Sequence, residues 1–145
     1  MLRHKMINVK PYSATALALA GLLLAGMGLY FIFIRPSLLP EDLRYMGSSL
    51  QNVKDDIPGL TKWLQKVFWV MGGYIFTTGL LTVFISFTLF RKRLPGVFNI
   101  VAVTGISSIG LMTVVNFMIS SDFKWIILIF TLPWAIALIF YKLHK

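Results

Sequence analysis

The sequence predicts an all-α membrane protein whose four transmembrane helices form a bundle. Four long apolar runs, at about 15–34, 67–90, 97–119 and 124–141, each approach the ~20 residues that a helix needs to cross a ~30 Å hydrocarbon core. The composition agrees, because 57% of the 145 residues are hydrophobic and the mean hydropathy is +0.79. The five acidic residues fall in two of the gaps between the runs. Together these observations predict a single membrane domain over residues 1–145.

The first run is rich in small residues at three- and four-residue spacings. Such spacings let helix backbones approach closely where lipid supplies no hydrophobic drive for association. We expect this surface to pack inside the protein's own bundle, and a homodimer seam is the alternative. The residues concerned are Ala16, Ala20, Gly21, Ala25, Gly26 and Gly28.

The segment 35–66 is the one sizeable stretch expected outside the bilayer, and its amphipathic part covers 40–66. Pro40 suits the first turn of a helix, where Glu41 and Asp42 favour the positive end of the helix dipole. Apolar residues then recur at spacings of three and four, which predicts an amphipathic helix with a narrow apolar seam. The seam consists of Leu43, Met46, Leu50, Val53 and Ile57. Gly47 costs on the order of 1 kcal/mol relative to alanine, so either packing supports the helix there or the helix bends.

Three surfaces can receive that seam: lipid headgroups, the mouth of the bundle, or another protein. Residues 40–56 carry four acids and two bases, whereas a helix lying on anionic lipid normally shows many Lys or Arg side chains. We favour capping of the protein's own bundle, with a partner contact as the alternative. After Pro58-Gly59, a helix beginning at Leu60 is expected to continue into the second span, and Ser121 or Asp122 can cap the fourth helix.

The net charge of +9 reflects membrane topology rather than nucleic-acid binding, since no basic stripe with interleaved aromatic residues is present. An even number of spans places eight basic residues on the face that holds both termini, and six on the opposite face together with every acid. By the positive-inside rule, this bias favours cytoplasmic termini in a bacterial inner membrane. The eight are Arg3, Lys5, Lys10, Arg91, Lys92, Arg93, Lys142 and Lys145; the six are Arg35, Arg44, Lys54, Lys62, Lys66 and Lys124.

No charged residue lies in the middle of a span, which disfavours ion-coupled transport and proton pumping. His4 and His144 lie in the terminal tails, so no catalytic triad can be assembled, and neither a metal site nor a haem site is favoured. We therefore predict no catalytic residues, no metal and no cofactor, and we favour a protein that is not an enzyme.

Polar side chains within the spans offer an alternative function. Hydroxyl groups recur along one face of the second span, and polar groups follow one face of the third. The simpler interpretation is that these side chains form hydrogen bonds back to their own helices. The functional alternative is that they line a polar crevice between the two spans. The crevice residues would be Thr78, Thr82, Thr104, Ser108 and Asn116.

The arrangement resembles small four-span DoxX-like membrane proteins. The likeness covers most of the chain and rests on the Gly/Ala-rich first span, the segment Arg35-Pro36-Ser37-Leu38-Leu39-Pro40, the glycines Gly72, Gly73 and Gly79, and the basic turn before the third span. The resemblance implies the four-span fold. Some members of that grouping are associated with quinone or redox complexes.

Two main functional hypotheses follow from the sequence, and an enzyme that uses the outer carboxylates is the least favoured third. The first is a non-enzymatic accessory or scaffold subunit of a membrane complex, which contacts a membrane-protein partner or a second copy through the seam. The alternative is a lipid- or quinone-binding protein, or a transporter, that uses the polar crevice. Both place the protein among membrane lipids, and neither involves nucleic acid.

Overall fold

Four helices of the computed structural model, which describes residues 10–143, are long and apolar enough to cross a membrane. They confirm the four predicted spans, and the helix that contains the second span begins at Leu60, as expected. The spans are Tyr12–Phe33, Leu60–Phe90, Val97–Met118 and Lys124–Leu143. The predictions that concern Arg3, His4, Lys5, His144 and Lys145 lie outside the described residues.

Seven α-helices and two π-helical turns make up these spans and their longest connection within the described residues. Helix α1 covers Lys10–Phe33, α2 Pro40–Met46, α3 Leu50–Asp56, α4 Leu60–Ile85, α5 Val97–Gly105, α6 Leu111–Met118 and α7 Lys124–Leu143. The π-helical turn Ser86–Phe90 extends α4, and the turn Ile106–Gly110 joins α5 to α6. The second and third spans each contain one of these wider turns, which the sequence pattern did not predict.

Helix α1 occupies the centre of the arrangement. It packs along both α4 and α7, while the third span packs mainly on α7. Accordingly, 39% of the most apolar stretch of the first span is buried inside the protein, compared with 17% for the fourth span. We call the end of the bundle that holds residues 34–59 and 119–123 the acidic end, and the end that holds the turn 91–96 the basic end.

Glycines bring α1 and α4 into close contact, as the small-residue spacing predicted. A Cβ atom on Gly21 would lie 2.8 Å from the carbonyl oxygen of Gly79, which leaves no room for a side chain. Gly28 faces the backbone of Gly72 and Phe76 in the same way one heptad along. The α1 surface is therefore used inside the protein's own bundle at these positions.

The apolar core is concentrated toward the basic end. Phe90 and Leu17 are fully buried there, and Trp134 of α7 packs against Gly105, whose missing side chain leaves space for the indole ring. The Trp134 Nε1–H donates a hydrogen bond of 3.0 Å to the carbonyl oxygen of Val101. This bond ties the third span to the fourth.

The single amphipathic helix expected after Pro40 is instead two short helices. Gly47 adopts a left-handed conformation with φ of 64°, and its N–H donates to the Arg44 carbonyl oxygen, which ends α2. The Ser49 hydroxyl then accepts the backbone N–H of Asn52 at 3.1 Å and caps α3. Glycine reaches positive φ at little cost and serine is a favoured N-cap, so these two residues break the helix where the sequence allowed a bend.

Candidate functional site

The predicted seam does not form one buried stripe. Val53 is buried and Leu43 half-buried, whereas Met46, Leu50 and Ile57 are 46%, 42% and 55% exposed. The helix is interrupted at Gly47, so the three-four spacing no longer places these five side chains on one continuous surface. Val53 and part of Leu43 are thus covered, whereas the other three apolar side chains are exposed at the acidic end.

A buried arginine fixes the chain where it leaves the first span. Arg35 is 9% exposed, and its guanidinium carbon lies 3.6 Å from the ring centroid of Phe68 on α4. Its Nη2 forms a salt bridge of 3.1 Å with Asp42, whose carboxylate also accepts the backbone N–H of Leu39 at 2.8 Å. Asp42 thus stabilises the start of α2 and neutralises Arg35.

Two contacts join α2 to the connection between the third and fourth spans. The Ser121 hydroxyl donates a hydrogen bond of 3.1 Å to Glu41 Oε1, and these two residues are 1% and 2% exposed. Arg44 and Asp122 form a salt bridge of 2.6 Å, and both side chains are more than half exposed. We call these four residues the latch. The latch holds α2 over the acidic end although its two sides lie far apart in sequence.

The exposed pair of the latch influences its own ionisation. The hydrogen bond and the charge of Asp122 raise the pKa of Arg44 above its already high ordinary value, and the charge of Glu41 acts in the same direction. Arg44 consequently remains a cation throughout the pH range in which the protein works.

These polar residues were only partly recognised from the sequence. Glu41 and Asp42 were identified as helix-start residues, and Ser121 and Asp122 as candidate caps. Ser121 does accept the backbone N–H of Phe123 at 3.1 Å. No pattern indicated that the two sides meet. One feature of the sequence could have indicated this contact. The charged residues of both connections lie directly beside the ends of spans, and antiparallel helices bring such connections together at the same end of a bundle.

The five predicted crevice residues are divided between helices that pack chiefly on other partners: α4 on α1, and the third span on α7. The hydroxyls of Thr78, Thr82 and Ser108 each donate to the carbonyl four residues earlier. The Asn116 amide does the same toward Met112, at 2.8 Å. Thr104 accepts the Ser108 bond through its backbone carbonyl. These bonds correspond to the simpler interpretation, and a ligand crevice stays a prediction.

Two shallow depressions lie along the acidic-end half of α4. One is lined by Ser37, Thr61, Lys62, Gln65 and Lys66, and the other continues from Lys66 to Tyr74. Neither includes a predicted crevice residue. Within residues 10–143, no three side chains of the metal-ligating types come together.

A four-span, all-α membrane bundle with a latched connection at its acidic end is the class of protein that the fold and the site define. Comparison of the chain with protein-family models, with curated proteins and with solved structures gave no significant match. The DoxX-like resemblance accordingly stays an expectation from the sequence.

Proposed function

We propose that this protein is a non-enzymatic accessory or scaffold subunit of a membrane complex, and that its partner binds at the acidic end. The observation that carries the proposal is the combination of a fixed backbone with exposed apolar side chains. The Arg35–Asp42 salt bridge and the latch hold α2 in place, while Met46 and Leu50 flank the break between the helices and remain exposed. Pre-ordered apolar side chains lower the entropic cost of binding a protein.

The partner we propose is another membrane protein whose own loops reach the same headgroup level. The two short helices carry more acids than bases, which disfavours an anionic lipid surface as the occupant. A second copy of this chain belongs to the same class of partner, and the experiment below distinguishes it by mass.

Substitution of Leu50 tests this proposal. Leu50→Glu places a charge on an exposed apolar position, so it should abolish co-purification of a stoichiometric partner in mild detergent while insertion and thermal stability remain unchanged. Asn52→Glu is the matched control, since it adds the same charge to an exposed polar position of the same helix. Native mass spectrometry of the purified complexes gives the stoichiometry.

Val53→Asp separates loss of the fold from loss of the partner. Val53 is 8% exposed, so the aspartate should destabilise the protein itself. A wild-type protein that purifies alone, or a Leu50→Glu variant that keeps its partner, would overturn the scaffold proposal.

We also propose that both termini face the cytoplasm of a bacterial inner membrane. Support comes from the eight basic residues on the terminal face and the absence of acids there. Because the chain has no cysteine, single cysteines at Asn52 and Lys92 report on opposite faces. A membrane-impermeant maleimide added to intact cells should label Asn52→Cys and leave Lys92→Cys unlabelled; the reverse pattern would invert the orientation.

A further inference from the structure

Arg93 at the basic end has an unusual environment. It adopts a positive φ of 55°, in the left-handed region that residues other than glycine rarely occupy. Its guanidinium carbon lies 4.6 Å from the ring centroid of Tyr141, and the Nη2 atom is buried without a hydrogen-bond partner among residues 10–143. Of the buried side-chain nitrogen and oxygen atoms in this part of the chain, it is the one that lacks a partner.

No protein carboxylate side chain is available to neutralise this guanidinium. All five acidic residues belong to the connections at the acidic end, on the other side of the spans. Arg91 and Lys92 precede Arg93 in the same turn. Lys142 directly follows Tyr141 in sequence, and its amine lies 4.9 Å from the ring centroid of Phe98. The local charge is therefore positive, and the surroundings favour an anion.

The position of the turn indicates the depth at which that anion lies. The second span ends at Phe90 and the third begins at Val97, so residues 91–96 lie at the boundary between hydrocarbon and water. Tyr141 is of a residue type that is enriched at this level. The phosphate layer of the bilayer lies at the same depth, and basic pockets between membrane helices bind phosphate-bearing headgroups.

We propose that Arg93 and the adjoining basic residues form a binding site for the phosphate of an anionic phospholipid headgroup. The ring of Tyr141 holds the guanidinium from one side. Arg93 as a whole is only half-buried, so part of its side chain remains within reach of the phosphate layer. Arg91, Lys92 and Lys142 contribute long-range attraction, whereas Arg93 provides the directed hydrogen bonds. The proposal does not depend on the scaffold role.

The test measures lipid binding to the full-length protein in mild detergent by native mass spectrometry. Phosphatidylglycerol is titrated against phosphatidylcholine, and wild type should prefer the anionic lipid. Arg93→Asn removes the guanidinium, and asparagine tolerates the positive φ better than most residues. We expect it to raise the apparent Kd for phosphatidylglycerol about tenfold, on the scale of one lost charge-assisted hydrogen bond.

Lys92→Asn is the matched control, because it removes one positive charge from an exposed side chain of the same turn. It should change the apparent Kd by less than about twofold, the scale of an exposed charge. Equal losses in the two variants would show diffuse attraction and overturn the site. If inorganic phosphate at the same concentration as the lipid displaces it, the site binds free phosphate, and the lipid proposal is overturned.

Arg93→Lys keeps the result interpretable if the asparagine variant fails to fold. Lysine preserves the charge and lacks the planar fork, so the preference for phosphatidylglycerol should fall several-fold while circular dichroism and thermal unfolding match wild type. Wild-type affinity in this variant would overturn the role assigned to the guanidinium.

Discussion

A Cβ atom on Gly72 would lie 2.8 Å from the carbonyl oxygen of Gly28, so these two glycines set how closely α4 approaches α1. The same relationship links Gly79 to Gly21 seven residues along each helix, in antiparallel order. A repeat of seven keeps the contact on one face of both helices. Backbone contact of this kind supplies dispersion attraction in lipid, where apolar side chains gain nothing by leaving solvent.

The first prediction concerns this contact. Gly72→Ala should destabilise the bundle by about 1–3 kcal/mol, because the added methyl group forces two backbones apart. Reversible unfolding of the purified protein by denaturing detergent measures the difference from wild type.

Gly73→Ala is the matched control, since a Cβ atom at Gly73 would meet nothing within 4 Å. Its stability should equal that of wild type or rise slightly, as alanine favours helix more than glycine does. Similar losses in the two variants would show that the close approach of α1 and α4 does not limit stability.

The contact between α1 and α4 could be predicted from the sequence, whereas the latch could not. The spans and the close packing of α1 were predictable because apolar runs and small-residue spacings are local patterns. The Glu41–Ser121 bond joins residues 80 positions apart, and neither residue type specifies the other as its partner. The spacing of the apolar residues predicts one helix for the seam, because this spacing carries no information about the left-handed conformation of Gly47. The π-helical turns have no residue signature from which they could be predicted.

The second prediction concerns the buried half of the latch. Ser121→Ala removes the hydroxyl that donates to Glu41 and accepts the Phe123 N–H. Since Ser121 and Glu41 are almost fully buried, the variant should lose about 1–3 kcal/mol of stability, the cost of leaving a buried carboxylate without its hydrogen-bond donor. Ser120→Ala is the control, because Ser120 is exposed. Thermal unfolding in detergent compares the two, and equal stability would contradict a structural role for the Glu41–Ser121 bond.

The third prediction concerns the exposed half of the latch and its dependence on pH and salt. Asp122 raises the pKa of Arg44, so the stability linked to Arg44 protonation is fully present below the pKa of Arg44 in the unfolded chain. It is lost only as the pH rises through the still higher folded-state pKa, far into the alkaline range. Asp122→Asn removes the salt bridge and should therefore lower the thermal stability by the same amount at about pH 7 and about pH 9.

Raising the salt concentration should reduce that effect, since exposed charges are screened. Asp55→Asn provides the comparison, because Asp55 is an exposed acid whose hydrogen-bond partner is Gln51 rather than a cation. A marked change in the Asp122→Asn effect between the two pH values would contradict the assignment of Arg44 as a permanent cation.

The fourth prediction concerns the bond between the third and fourth spans. Trp134→Phe keeps most of the ring volume and removes the Nε1–H that donates to the Val101 carbonyl oxygen at 3.0 Å. Hydrogen bonds between membrane helices contribute about 0.6 kcal/mol on average and up to about 1.7 kcal/mol. We expect a loss in the upper part of that range, because Trp134 is 4% exposed and no water can replace the donor.

Trp125→Phe is the matched control, since Trp125 is 60% exposed. If the two variants unfold at the same denaturant concentration, the indole contributes to the core through its volume alone, and the Nε1–H bond does not stabilise the packing of the third span on α7.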